Sequence, residues 1–94
     1  MPDYDHPYQT VMSKNHAFDI ITYIYEKGTV HKSDLYAVSS NYRAFSSTLK
    51  VLVDEGLVIE EMTREPRLHY TLSLSEKGKR VGKCLMDAKK ILVE

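Results

Sequence analysis

Between Leu35 and Val53 the chain carries no aspartate or glutamate, while Tyr42, Arg43, Ser46, Ser47 and Lys50 recur at steps of three and four. At helical spacing these five side chains share one face. They offer two cations and three hydroxyls, all hydrogen-bond donors, with no carboxylate beside them. Such a set suits an anionic partner, because bonds from Arg and Lys to phosphate or carboxylate are charge-assisted. A solvated helix face would more often mix charge signs in supporting i,i+4 pairs. Here Ser46, Ser47 and Thr48 lower helix propensity without that compensation.

Other chemistry is poorly supplied. His6, His16, His31 and His69 are scattered at spacings that match no metal motif, and they read as surface or half-buried imidazoles. Cys84 is the only cysteine, which excludes an internal disulfide and a cysteine-pair zinc site. It reads as a small buried hydrophobe or, near a two-fold axis, as one half of an intersubunit bridge. There is no glycine-rich phosphate loop and no Cys–His or Ser–His arrangement. Asp54–Glu55, a paired acid at a helix end, reads as an exposed cap or ion pair. No enzyme, metal or cofactor is expected.

The chain has 94 residues, enough for one small domain, and its 43% apolar content is ordinary for a globular protein. Net charge is zero but segregated. Residues 1–28 set Lys14 and Lys27 against Asp3, Asp5, Asp19 and Glu26, whereas Lys77, Lys79, Arg80 and Lys83 crowd into seven positions. No run of eighteen apolar residues exists, and the first residues lack the basic-then-apolar order of a signal peptide, so a cytoplasmic protein is expected.

The elements that must position the acid-free face follow from periodicity. Residues 1–12 read as an arm, with Tyr4, Tyr8, Val11 and Met12 available to pack on the body. Ser13 reads as the N-cap of a helix of about fourteen residues, carrying Ala17, Ile20, Ile21, Ile24 and Tyr25 on one stripe and stopped by Gly28. A short extended piece at Val30 leads to Ser33, a second cap, and a brief helix through Leu35, Tyr36 and Val38. Ser39 or Ser40 caps the next helix, and so tight a joint makes the two helices cross steeply. That helix, 41–55, buries Phe45, Thr48, Leu49, Leu52 and Val53 and stops at Gly56. "LVIEEMT" and "LHYTLS" read as a hairpin around "REPR", with Leu68, Tyr70 and Leu72 on a buried face. After Ser75, Val81, Leu85, Ala88 and Leu92 form a helical stripe, widened by Cys84 and Ile91.

This order, with "LKVLVDEGLV" and "YTLSLSEKGKRV" in place, resembles the winged helix-turn-helix domains of prokaryotic transcriptional regulators, MarR-like and PadR-like ones especially. The resemblance covers residues 13 to about 83. It implies an α+β fold, a three-helix core with a β-hairpin wing over 13–75, followed by a C-terminal dimerisation helix over 76–94. It also implies a homodimeric regulator of double-stranded DNA, with helix 41–55 in the major groove. Tyr42, Arg43, Ser46, Ser47 and Lys50 fall where that family contacts DNA, and Arg64 and Arg67 fall on the wing. Val81, Cys84, Leu85, Ala88, Ile91 and Leu92 would then form the dimer interface. The glutamates beside the wing arginines and the zero net charge leave open a winged helix that binds protein instead. Salt separates the two, since release of counterions makes DNA complexes weaken steeply as salt rises.

Overall fold

The first apolar stripe of the sequence folds as expected except at Tyr25, which is 37% exposed. In a computed structural model that describes residues 8–36 and 42–94, helix α1 spans Ala17–Lys27 and buries Ala17, Ile20, Ile21 and Ile24. Its start differs from expectation. Ser13 does not cap α1 but closes a 3-10 turn over Val11–Ser13. The Ser13 hydroxyl accepts from the Thr10 N–H at 3.1 Å, while the Thr10 hydroxyl accepts from the Met12 N–H at 3.1 Å. That reciprocal cap occupies Ser13, so α1 begins later, at a His16 with φ +68°, and has 11 residues. Val11 and Met12 pack against the core, as expected of the arm, whereas Tyr8 is exposed. Tyr4 lies outside the described residues.

Past Gly28, β1 is the two-residue strand Val30–His31, and α2 spans Lys32–Tyr36 with Leu35 fully buried. Ser33 sits inside α2 rather than capping it, because the helix starts one residue earlier. The expected roles of Val38, Ser39, Ser40 and the first residue of the next helix lie outside the described residues. Helix α3 spans Tyr42–Asp54 and buries Phe45, Thr48, Leu49 and Leu52. Val53, expected in that stripe, is only half-buried at its edge.

Strands β2 (Val58–Thr63) and β3 (His69–Leu74) form an antiparallel hairpin, and β1 adds to the free side of β3, giving sheet order β1-β3-β2. Val30 faces Leu72, and Val58 faces Leu74. Burial stops there. Leu72 and Leu74 are covered by the helices, but Tyr70 is 38% exposed and Leu68 55% exposed, contrary to the alternation read from the sequence. The helices do not cover the outer half of the hairpin, where Tyr70 meets the Lys32 ammonium and His69 the His31 ring.

Helix α4 spans Glu76–Leu92 and packs on α1. Ser75 caps it. Its hydroxyl accepts from the Gly78 N–H at 3.0 Å and donates to the Gly56 carbonyl, tying the helix start to the end of α3. The close approach depends on two glycines inside the helix. A Cβ at Gly78 would overlap the Leu57 carbonyl, and one at Gly82 would lie 2.7 Å from the Tyr25 ring. One core results, from Ile20, Ile21, Ile24, Val30, Leu35, Phe45, Leu49, Leu52, Leu57, Val58, Leu72 and Leu74.

Candidate nucleic-acid interface

The core fixes which way α3 faces. Phe45, Leu49 and Leu52 are driven inward by their apolar area, each worth about 1.5–3 kcal/mol when fully buried. Thr48 follows them inward because its hydroxyl donates to the Asn15 carbonyl at 2.6 Å, anchoring α3 to the segment before α1. With that side committed, Arg43, Ser47 and Lys50 point to solvent, Ser46 is half-buried, and Tyr42 is 64% exposed. The five residues predicted to share a face do share one. The Tyr42 ring also packs at a tilt of 49° on Tyr36 of α2, ring centroids 4.5 Å apart, and Tyr36 in turn meets Phe45 edge-on at 5.6 Å. The Tyr36 hydroxyl is buried with no hydrogen-bond partner among the described residues.

Arg64 and Arg67 stand exposed at the end of the hairpin, and neither is ion-paired among the described residues. Glu60, further down β2, is engaged by a lysine. Its carboxylate takes the Lys32 ammonium at 2.8 Å, and the same ammonium lies 5.1 Å over the Tyr70 ring and 6.0 Å from that of Tyr36. The hydrogen bond to Glu60 raises the Lys32 pKa above its ordinary 10.5, and partial burial opposes the rise. Lys32 was missed in the sequence. One signal was present: a lysine as the first residue of a helix opposes the helix dipole and so asks for an anionic partner.

The residues assigned to a dimer interface divide into two sets. Val81 and Leu85 are half-buried against the molecule's own core. Cys84 is exposed rather than buried, and Ala88 is exposed too, while Ile91 and Leu92 are 67% and 77% exposed. Among the described residues no cluster of histidine, cysteine and carboxylates can hold a metal ion, and no helix is long and apolar enough to cross a membrane.

Helices α1 to α3 under a three-stranded sheet whose hairpin projects beside α3 make a winged helix-turn-helix fold. Solved structures share it. A transcriptional regulator homologue from Pyrococcus horikoshii OT3 superposes with a TM-score of 0.73 at 15% identity, over 88% of this chain and 84% of its own. A protein assigned to the MarR family of transcriptional regulators, from Porphyromonas gingivalis W83, gives 0.71 at 17% identity, over 100% and 96%. F-93 of SSV1 gives 0.67 at 23% identity, over 95% and 96%. No model of a protein family matches the sequence, and no curated protein sequence matches it.

Proposed function

We propose that the protein binds double-stranded DNA as a homodimeric transcriptional regulator, with α3 entering the major groove. The observation that carries this reading is the outward face of α3. Arg43, Ser47 and Lys50 are presented to solvent, two arginines unpaired among the described residues stand exposed at the wing's tip, and no carboxylate lies on that helix before its last residue, Asp54. A groove-reading helix needs donors near phosphates and base edges and is opposed by carboxylates beside the backbone. The regulators with the same fold support the reading by analogy, a weaker argument than the site itself.

In this reading Arg43 and Lys50 reach bases or phosphates, Tyr42, Ser46 and Ser47 fix the register, and Arg64 and Arg67 follow the backbone alongside. The far half of α4 supplies the two-fold contact, through Ala88, Ile91 and Leu92, with Cys84, Val81 and Leu85 at its near end. Arg43→Ala and Lys50→Ala each weaken duplex binding, by about 1–3 kcal/mol if the side chain contacts a base and by less if it contacts only phosphate. Gel shifts against duplex fragments measure this, with circular dichroism to verify folding. Folded variants that bind like the parent remove α3 from the interface.

A further inference from the structure

We infer that Lys32 supports the DNA-binding surface from outside it, by holding the Glu60 carboxylate and covering its charge at the edge of that surface. The inference rests on the DNA reading above and names a residue that does not lie on the contact face. Glu60 and Tyr70 come from the two strands of the wing and stand on the same face of the sheet, since Glu60 pairs with Leu72 and Met62 with Tyr70. Lys32 reaches both from the start of α2, with its ammonium 2.8 Å from the Glu60 carboxylate and 5.1 Å over the Tyr70 ring. On its other side it lies 6.0 Å from the Tyr36 ring, which packs at a tilt on Tyr42 of α3, centroids 4.5 Å apart. One side chain therefore links both wing strands to the aromatic pair at the start of α3. The wing's buried side chains, Val58, Leu72 and Leu74, lie at its base, and the Lys32 junction sits just beyond them, near the His31–His69 ring contact at 5.2 Å.

Charge makes the link matter for DNA. Glu60, Lys32, Ser46, Lys50 and Asp54 line one hollow of about 400 Å³ between α3 and β2. Ser46 and Lys50 belong to the face assigned to DNA, so Glu60 is a carboxylate at the edge of a phosphate-binding surface. Paired with Lys32 it is neutralised. Unpaired, it repels the backbone across a distance at which salt screens only partly.

A mutant cycle on the full chain tests this. Lys32→Met keeps an apolar stem against Tyr36 and Tyr70 but exposes the Glu60 charge, and should lower duplex affinity about three- to tenfold at low salt. Glu60→Gln removes the charge that needs covering, so Lys32→Met/Glu60→Gln should return to within about twofold of the parent, a rescue that Coulomb repulsion predicts. A purely structural role would move thermal stability without that rescue and would overturn the inference. If Lys32 itself contacted phosphate, affinity would stay low in the double variant and the salt dependence would flatten by about one ion, which also overturns it. A parent that binds duplex with Lys32→Met unaffected removes this inference alone, whereas a parent that binds no duplex removes the DNA reading with it.

Discussion

Two lysines of this protein do different work because of what stands beside them. Lys50 is exposed on α3 with no ion pair among the described residues, and is free to meet a partner. Lys32 is held by Glu60, and the hydrogen bond between them raises its pKa above 10.5. The folded state therefore keeps that proton more tightly than the unfolded chain does. The stability this adds is complete below the ordinary value and disappears as the pH climbs past 10.5 through the raised one. For a half-exposed pair the contribution is about 0.2–1 kcal/mol. Urea unfolding of the parent and of Glu60→Gln should show such a gap at neutral pH that closes in alkaline solution. A gap independent of pH would mean that the ion pair contributes nothing. At this scale the sequence was partly legible. The acid-free run disclosed α3's outer face, because charge signs are visible without coordinates. The Lys32–Glu60 pair was not visible, since the two residues meet only when the wing folds beside α2. Of the two readings of Cys84, burial in the chain's own core does not hold, since the thiol is exposed, while the packing face of α4 is marked by Gly78 and Gly82.

Among the elements, α3 does the most. Its inner side closes the core and its outer side carries the proposed contacts, so its rotation about its own axis is fixed by packing. Leu52 is fully buried against the sheet and α1, and Leu52→Ala should cost about 2–5 kcal/mol, a large share of the stability of a domain this size. A melting temperature within a degree or two of the parent would show that the helix is phased differently. Element types and order were readable because hydrophobic period changes cleanly from four-residue steps to alternation and back. Two boundaries were not. The start of α1 moved because Thr10 and Ser13 cap each other, and a serine before an apolar stripe does not reveal which turn it closes. The outer hairpin keeps an alternating pattern with no helix packed under it, so Leu68 and Tyr70 are apolar without being buried. Burial of a strand depends on what lies under it, and a local pattern does not carry that information.

As a whole molecule, the protein has a closed core and an apolar helix end outside it. Ile91, Leu92 and Val93 are each more than two-thirds exposed, at 67%, 77% and 74%. Pairing α4 with its two-fold mate would cover them and set two copies of α3 roughly 34 Å apart, one DNA turn, as a palindromic site requires. Sedimentation equilibrium should give a dimer at tens of micromolar, and a monomer there would contradict it. If Cys84 lies near the axis, within about 7 Å between Cα atoms, the oxidised dimer survives a non-reducing gel. The central claim, that the α3 face binds DNA phosphate, is tested most directly by titrating the parent protein into a library of random-sequence duplexes while salt is raised from about 50 to 200 mM. Fluorescence anisotropy should show binding whose log affinity falls linearly with log salt, with a slope of several ions, about 0.9 for each phosphate neutralised. Absence of binding at the lowest salt, or binding that salt leaves unchanged, would contradict the account.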